Sequence, residues 1–470
     1  MRIPFRANRV AIAIAGATVA LAAPLAHGAA FALQENNASG LGNAYAGGAA
    51  AAEDASTVWS NPAGMSRLKQ REAVQAIHFI IPSNKFSDDG SLPAANQPLG
   101  TSSGGDAGGV NVIPNLFLVV PYSQQLSFGL GVNVPFGLTT EYDDGWIGRY
   151  HGIKSQVKTI NVQPTVSWKV NDQFSVGLGV DFQWIDARLT SDANYSGAIL
   201  VGAQRAVASG ALPAAAVPGI AAATAGLDSR VTVKGDDTAW GWNIGGLYEF
   251  NPGTRLGAQY RSGFKYTVRG DVDFNQPTLG PLPPALAPAI NTIVNGVNAT
   301  LYNGGVHSRI EVPAIANVSL FHRLNDRWDV MADVQWTGWS SLQDLTFVRN
   351  EGAVLASTPE NFDDVWRFSV GANYRVDDRW MLRGGLAFDE SPVNDVDRTP
   401  RLPDADRTWL SFGAQYKYSQ SLIIDGGFTY IWVDDSSINT NAGSTAQYGL
   451  LRGTYDSKVV IVSIQAALRF

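Results

Sequence analysis

Cysteine is absent from this 470-residue chain, and charged residues are scarce. The lack of cysteine excludes a disulfide scaffold, a thiolate zinc site and a cysteine nucleophile. Charged residues make up 16% of the sequence, whereas a typical globular domain has roughly 25%. The net charge is −7, and no basic patch is present that could neutralise nucleic-acid phosphates. The composition therefore argues against nucleic acid as a partner and is unusual for a soluble protein.

Long hydrophobic runs are missing beyond the N-terminal segment, and the mean hydropathy is only −0.04. The Ala- and Val-rich stretch 197–226 contains Arg205, Pro213 and Pro218, which would interrupt a membrane helix. The N-terminal segment differs, since residues 2–9 contain three arginines, residues 10–26 are mostly apolar, and small residues follow up to Gly28. This order predicts a signal peptide over residues 1–28, and hence export from the cytoplasm.

Two-residue alternation of apolar and polar side chains begins near residue 72 and continues to the end of the chain. In 173–184, for example, Leu178 and Val180 alternate with Asp181 and Gln183. Such alternation is typical of strands with one apolar face. It predicts fourteen strands, at 72–81, 110–120, 125–135, 156–169, 173–189, 230–250, 254–274, 307–323, 327–347, 364–376, 379–389, 406–418, 421–433 and 457–470.

The connections between these strands alternate strictly between short and long. Short ones carry turn residues such as Asn171-Asp172 and Asn325-Asp326, and long ones such as 190–229 and 275–306 lie between them. Antiparallel outer-membrane barrels have this pattern, with short periplasmic turns and long external loops. We therefore predict an all-β fold, a 14-stranded antiparallel transmembrane β-barrel over residues 72–470, located in the outer membrane of a Gram-negative bacterium. The apolar face would meet lipid.

Residues 29–71 do not alternate. They are rich in Gly, Ala and Asn and end near Asn61-Pro62-Ala63, where Asn-Pro favours a turn. Glycines allow the close backbone approach that a compact plug inside a barrel needs. We therefore predict that residues 29–71 form an N-terminal hatch rather than a flexible leader.

Several motifs give the chain a resemblance to the FadL family of outer-membrane transporters, which includes long-chain fatty acid transporters and TodX-like transporters of aromatic hydrocarbons. The motifs occur in family order along nearly the whole predicted mature chain. They include 39–47 followed by 61–63, then 135–141, 241–243, 260–262, 337–340, 385–393 and 402–407.

The resemblance implies a monomeric barrel with an N-terminal hatch, which takes up long-chain fatty acids or similar hydrophobic molecules. It also implies a pocket near the mature N-terminus and a kink in the third strand that opens sideways into the bilayer. In this sequence the kink would fall at Pro135, Phe136 and Gly137. The gate would be the segment 29–33, with Phe31 and Leu33, and Asn61, Pro62 and Ala63 would complete the pocket and gate region.

One departure from the family concerns the charged end of the substrate. Fatty acid transporters of this family are expected to meet the carboxylate with basic side chains, and Arg188, Arg261 and Arg367 are the candidates. The stretch before the tenth strand offers Asp363 and Asp364 beside Arg367, which favours the alternative of a neutral aromatic hydrocarbon or alkane. Long loops 190–229 and 275–306 carry apolar residues suited to first capture.

Other functional classes fit less well. Gly100-Thr101-Ser102-Ser103-Gly104 matches the serine-hydrolase pattern, but it lies in a predicted external loop without a strand-to-helix elbow. The histidines show no metal-ligand spacing. We therefore expect no catalytic residues, no metal and no cofactor, and the partners are the hydrophobic substrate and the surrounding outer-membrane lipid and lipopolysaccharide. A general aqueous porin would need an open lumen, which the hatch would block.

Overall fold

The computed structural model describes residues 30–440 and 445–470, so the predicted signal peptide and Ala29 lie outside the described residues. Twenty strands form one antiparallel sheet that closes on itself, because the first strand pairs with the last from Glu72↔Arg469 to Asp88↔Gly453. Six of the barrel strands are each divided in two, so that twenty segments build a closed 14-stranded barrel and confirm the predicted fold class. The strands are β1 Glu72–Asp88, β2 Asn111–Pro121, β3 Leu126–Asn133, β4 Gly137–Glu141, β5 Lys154–Lys169, β6 Phe174–Asn194, β7 Asp228–Asn251, β8 Thr254–Arg261, β9 Phe264–Asn275, β10 Gly304–Val312, β11 Ile315–Arg323, β12 Trp328–Thr337, β13 Asp344–Arg349, β14 Val354–Pro359, β15 Val365–Arg375, β16 Trp380–Asp389, β17 Arg407–Lys417, β18 Leu422–Val433, β19 Ser436–Thr440 and β20 Leu451–Arg469.

The two faces of the strands follow the predicted parity. In β6, Leu178 and Val180 are about half exposed on the outer face, while Asp181 and Gln183 are fully buried on the lumen face. Tryptophans such as Trp168 and Trp240 lie on the outer face, as expected for residues at a membrane interface. Apolar side chains therefore surround the barrel and polar ones line its interior.

Several strands extend beyond the predicted ends on the side of the long loops. β1 continues to Asp88 rather than ending at residue 81, and β20 begins at Leu451 rather than at 457. In these extensions the outer face is polar, with Lys85, Arg452 and Asp456, whereas Phe86, Leu451 and Tyr455 are buried on the inner face. The apolar face therefore changes sides although the backbone pairing continues. The pattern used for prediction therefore marks only the part of each strand that meets lipid.

Short helices occur in the N-terminal segment and in the external loops. In the described residues they are Ala38–Leu41, Gly48–Ala51, Thr57–Ser60, Tyr195–Ala208, Val217–Ala223, Ala287–Asn298 and Thr445–Tyr448, with 3-10 turns at Pro62–Arg67, Ala214–Ala216 and Trp339–Ser341. Within residues 30–440 and 445–470, no helix has the length and apolar character needed to cross a membrane.

Residues 30–71 fill the interior of the barrel. They contact each of the fourteen barrel strands, and most of their side chains are buried. Glycines on the lumen face make this close approach possible, because a Cβ atom on Gly385 would lie 2.2 Å from the Asn43 carbonyl and one on Gly177 would lie 2.4 Å from the Ala63 amide nitrogen. This segment, residues 30–71, is called the hatch below.

Candidate functional site

The third barrel strand is broken between β3 and β4. Residues 134–136 separate Asn133 from Gly137, while the facing positions on β5, Asn161 and Lys158, are separated by only two residues. Pro135 has no backbone N–H to donate, and Phe136 bonds instead to the Thr159 hydroxyl through both its N–H (3.0 Å) and its carbonyl (2.7 Å). Pro135, Phe136 and Gly137 therefore lie at a break in the third barrel strand.

The break leaves part of the barrel wall without a full sheet. β2 pairs with β3 only from Leu116 to Pro121, and among the described residues β4 pairs with β5 alone. Residues 111–115 of β2 therefore have no strand partner on the β4 side. A gap of this kind exposes backbone polar groups, and such groups inside a bilayer need another partner.

The start of the hatch supplies that partner. The Leu33 N–H donates to the Pro135 carbonyl and the Gly137 N–H donates to the Phe31 carbonyl, both at 2.8 Å, so that Ala32 forms an antiparallel bridge with Phe136. Residues 30–33, called the gate segment below, thus close the break from the lumen side with two main-chain hydrogen bonds.

A buried carboxylate holds the gate segment from its other end. The Ala30 N–H donates to Asp404 Oδ2 at 2.8 Å, and the Ser391 hydroxyl donates to the same oxygen at 2.8 Å. The Arg407 Nε donates to Asp404 Oδ1 at 3.0 Å, which completes a buried ion pair. Asp404 therefore links the gate segment to the loop 390–406 and to β17.

Phe31 projects into an aromatic cluster. Its ring lies 4.6 Å from the Trp339 ring and 6.1 Å from the Phe136 ring, and Trp339 also contacts Phe362 at 5.8 Å, with edge-to-face geometry throughout. Trp339 is fully buried in the 3-10 turn that separates β12 from β13. The cluster connects the gate segment with the opposite side of the barrel.

An apolar cavity lies above this aromatic cluster, on the side of the external loops. A concave space with a mostly apolar lining is the usual form of a small-molecule site. Aliphatic and aromatic side chains dominate the wall, including Phe31, Leu138, Val157, Ile185, Leu189, Val268, Ile310, Leu342, Phe347, Phe362 and Leu402. The gate segment therefore forms part of the lining through Phe31.

Two basic residues line this cavity, the exposed Lys234 of β7 and Arg401, which the structure brings in from the inside. The Arg401 Nη1 makes three long contacts, to the Ser155 hydroxyl at 3.2 Å and to the carbonyls of Lys154 and Thr190 at 3.4 Å. Within the described residues, no carboxylate lies within 4 Å of its guanidinium nitrogens. Burial lowers the pKa of Arg401 to about 10, so the group is a cation at neutral pH without a paired anion.

Glu360 is the acidic residue in the same lining. Burial raises the pKa of its carboxyl group to about 8, and the positive charge of Arg401 opposes that rise. At neutral pH the neutral form of Glu360 therefore predominates, and a neutral carboxyl group can donate a hydrogen bond. An unpaired guanidinium and a protonated carboxyl group on one apolar wall can together receive an anionic head group.

The three arginines chosen from the sequence do not reach this cavity. Arg188 is exposed on the outer face, since its neighbours Ala187 and Leu189 line the cavity and strand parity turns Arg188 away. Arg261 is buried against Asp181 at 2.5 Å and lies 3.4 Å above the Trp59 ring. Arg367 donates to the Ala44 carbonyl at 2.9 Å. Arg261 and Arg367 therefore bind the hatch rather than the cavity.

Asn61, Pro62 and Ala63 also lie away from the cavity. The Asn61 side chain donates to the carbonyls of Ala49 (2.7 Å) and Gly246 (2.9 Å) and accepts the Ala63 N–H at 3.0 Å. Pro62 begins the 3-10 turn. This motif attaches the hatch to β7, so the structure brings Phe31 and Leu33 to the kink but places these three residues in the anchor.

Sequence reasoning missed Arg401 and Asp404. Both belong to the predicted loop 390–405, and Asp404 falls in the motif 402–407 that carries the family resemblance. Only the folding of this loop back into the barrel mouth places them beside the cavity and the gate segment. Within residues 30–440 and 445–470, no group of three or more His, Asp and Glu side chains is placed to hold a metal ion.

Comparison with known proteins identifies the group to which this barrel belongs. A long-chain fatty acid transport protein of Escherichia coli O6:H1 is 30% identical over 451 residues, which cover 93% of this chain and 94% of the relative. The crystal structure of a Pseudomonas aeruginosa FadL homologue matches with a TM-score of 0.81 at 27% identity, covering 94% of this chain and all of that one. The Pseudomonas putida toluene transporter TodX shares the fold, with a TM-score of 0.61 at 19% identity over 88% of this chain and 94% of that one. A family model described as outer membrane protein transport protein (OMPP1/FadL/TodX) matches residues 19–470, and the chain belongs to this family of Gram-negative outer-membrane transport proteins.

Proposed function

We propose that this protein takes up long-chain fatty acids across the outer membrane and releases them sideways into the bilayer. The single observation that carries the proposal is an apolar cavity that has an unpaired arginine in its lining and the gate segment in its wall. The alkyl chain would occupy the apolar part, and the carboxylate would meet Arg401 and neutral Glu360. Full-length similarity to a fatty acid transport protein supports this substrate class.

Release of the bound ligand, rather than its binding, is the step with the large free-energy cost. Burial of an alkyl chain contributes about 0.8 kcal/mol per CH₂ group, so a sixteen-carbon chain would gain roughly 10 kcal/mol in this cavity. Returning that chain to water would cost the same amount. A lateral exit avoids the cost, because the chain passes from one apolar environment to another.

The gate segment supplies a route for this exit. If residues 30–33 leave the break, the two hydrogen bonds to Pro135 and Gly137 are lost and the Phe31 ring leaves the cavity wall. The cavity then loses part of its apolar lining and joins the gap between β2 and β4. Ligand release and gate opening would thus be the same movement, with the rest of the hatch remaining in place.

The apolar loop helices are suited to first capture. Ile199, Ile220 and Ile290 form a buried cluster between Tyr195–Ala208, Val217–Ala223 and Ala287–Asn298, beyond the strand ends.

Each barrel encloses its own hatch and cavity, so we propose that the working unit is a monomer. The architecture supports a transporter without catalytic residues.

A neutral aromatic hydrocarbon is the second candidate substrate. The edge-to-face cluster of Phe31, Phe136, Trp339 and Phe362 offers aromatic contacts near the gate segment that a toluene-sized ring could extend. A neutral ring would leave Arg401 without a partner, which favours the fatty acid.

Uptake by cells that lack their own transporter tests the substrate class. We expect the intact chain to support uptake of labelled oleate. The variant Arg401→Gln should bind oleate about 10- to 100-fold more weakly, because a hydrogen bond to a charged group contributes roughly 1.5–3 kcal/mol. Toluene uptake should be unchanged in this variant. Arg188→Gln is the matched control, because that arginine is on the outer face. Equal oleate uptake by the Arg401 and Arg188 variants, or toluene uptake alone, would contradict the proposal.

A further inference from the structure

Charged side chains of both signs form a band on the outer face of the barrel, beyond the last apolar residues. The band consists of Lys158 on β5, Asp186 and Arg188 on β6, Lys234 and Asp236 on β7, and Arg269 on β9. Strand parity directs these side chains away from the lumen, since the alternate residues Ile185, Ala187 and Leu189 of β6 line the cavity; Lys234 also borders the cavity but is exposed. We refer to these six residues as the outer charge band.

The register places like charges directly opposite each other on β6 and β7. Asp186 faces Asp236, and two residues further out Arg188 faces Lys234. Like charges in directly opposed positions destabilise a sheet. The next strands place Lys158 opposite Asp186 and Arg269 opposite Asp236, so the band contains four cations around two adjoining carboxylates.

Most of these charges have no ion-pair partner in the protein. Lys234 lies 3.5 Å from Asp273, but no salt bridge within 4 Å involves the other five members in the part of the chain that the structure describes. Arg188, Lys234, Asp236 and Arg269 are exposed. Oppositely charged residues are therefore neighbours in the strand register but do not form ion pairs with one another. This leaves their charges available to an external partner.

The height of the band identifies the partner. Trp184 and Trp240 lie on the same face just inside it, and Leu178, Val180 and Trp242 follow towards the membrane centre. With about 3.3 Å per residue, Asp186 lies roughly 7 Å and Arg188 roughly 13 Å beyond Trp184. Tryptophan marks the border of the hydrocarbon layer, so the band lies at the level of the lipid head groups on the external side.

We propose that the outer charge band binds the phosphorylated saccharide head group of the outer-leaflet glycolipid, lipopolysaccharide. Lys158, Arg188, Lys234 and Arg269 would contact its phosphates, and a divalent cation would join Asp186 and Asp236 to a phosphate oxygen. Hard divalent cations take carboxylate and phosphate oxygens as ligands, and anionic head groups attract basic side chains at the membrane surface. A partner that carries phosphates and bound cations can neutralise both like-charge pairs, with its phosphates at Arg188 and Lys234 and its cation at Asp186 and Asp236. A simple anion or a simple cation could neutralise only one of the two pairs.

Binding of lipopolysaccharide at the outer charge band is separate from the proposed transport, and a lipid-binding measurement tests it. The full chain in detergent would be titrated with bisphosphorylated lipid A or dephosphorylated lipid A, with Mg²⁺ or with EDTA, and bound lipid would be counted by native mass spectrometry. We expect Arg188→Gln with Lys234→Gln to weaken binding of the bisphosphorylated form roughly 30-fold. Asp186→Asn with Asp236→Asn should remove the effect of EDTA.

The matched control is Lys85→Gln with Lys458→Gln, which removes the same charge from the outer face of β1 and β20, where Lys85 faces Asp456. All variants would first be shown to migrate as folded barrels before and after heating. A much smaller loss in this control than in the band variant supports the site. Equal losses in both variants, equal binding of dephosphorylated lipid A, or no effect of EDTA on the unmodified chain would overturn it.

Discussion

Asp404 is the residue that joins the gate segment to the rest of the barrel mouth. One oxygen accepts the Ala30 N–H and the Ser391 hydroxyl, and the other accepts from Arg407. The carboxylate is buried, so its hydrogen bonds and its ion pair are not weakened by competing water. This side chain therefore anchors the start of residues 30–33, in addition to the two main-chain hydrogen bonds at the break.

Asp404→Asn should therefore loosen the gate segment without unfolding the barrel. The amide keeps an oxygen for Ala30 but loses its charge beside Arg407, and hydrogen bonds to charged groups contribute roughly 1.5–3 kcal/mol. Hydrogen exchange at the Leu33 and Gly137 amides should accelerate by about 10- to 100-fold. Asp406→Asn is the control, because Asp406 accepts the Ser391 N–H and does not contact Ala30. Unchanged protection of both amides in the Asp404 variant would show that Asp404 does not hold the gate.

Titration of the Glu360 carboxyl group should make ligand binding depend on pH. Burial raises the pKa of its carboxyl group from an ordinary value of 4.5 to about 8, so the group is mostly neutral at pH 7 and becomes an anion above pH 8. The anion would repel a bound carboxylate, and oleate affinity should fall on the order of tenfold between pH 7 and pH 9. Arg401 stays charged through most of this interval, since its pKa is about 10.

Glu360→Gln removes this titration, and its oleate affinity should stay level between pH 7 and pH 9 when measured by calorimetry in detergent. A fall of the same size in the variant would assign the pH dependence to another group. A level profile in the unmodified protein would show that Glu360 does not face the bound carboxylate.

Residue roles were harder to predict than residue types. The family resemblance points to Phe31 and Leu33, and the structure places both at the start of the hatch, beside the break in the third barrel strand. Arg401 could not be found from alternation or motif, since it follows Pro400 in a loop without periodicity and acts only through the folding of that loop. Arg261 and Arg367 are buried inside the barrel, but their partners Asp181 and Ala44 are distant in sequence.

At the scale of elements, the barrel strands were predictable because each has one face on lipid and one on the lumen. The predicted segments cover the lipid-facing part of the strands, but several strands, such as β1, β6 and β20, extend beyond them on the external side. The loop helices were not predicted. Ile290, Val294 and Val297 lie on one side of Ala287–Asn298 at helical spacing, but Pro and Gly residues around them obscured the pattern.

The fit between the hatch and the barrel wall can be tested at two neighbouring glycines of β16. A Cβ atom on Gly385 would lie 2.2 Å from the Asn43 carbonyl, whereas one on Gly384 would have no atom within 4 Å. Overpacking a close-packed contact costs about 1–3 kcal/mol. Gly385→Ala should lower the free energy of unfolding by that amount in urea titrations of the detergent-solubilised protein.

Gly384→Ala, the control, should leave stability unchanged or slightly higher, because alanine restricts the unfolded chain. Equal stability of the two variants would mean that the hatch does not press against β16 at this position.

At the scale of the whole molecule, the hatch is fixed in most places and weakly held in one. Arg383, which is buried in the barrel wall, binds Glu53 of the hatch at 2.8 Å, and Arg261 donates to the Trp59 carbonyl at 3.0 Å. Hydrogen bonds to charged groups contribute roughly 1.5–3 kcal/mol each, so expulsion of the entire hatch would be expensive. The gate segment is held by main-chain hydrogen bonds and Asp404, and under the proposed function it is the part that moves.

The absence of cysteine allows a direct test of sideways release. Ala32 and Phe136 are directly opposed between the two hydrogen bonds that close the break, a geometry with a Cα separation of about 4.5 Å that suits a disulfide. The double variant Ala32→Cys with Phe136→Cys would carry the only two cysteines of the chain, and the two single variants serve as controls. Oleate uptake by cells would be measured under oxidising conditions and again after reduction with a membrane-permeant thiol. If the ligand leaves through the break in the third strand, the oxidised double variant loses oleate uptake and recovers it on reduction, while both single variants stay active throughout. Undiminished uptake with the disulfide formed would contradict release through this break.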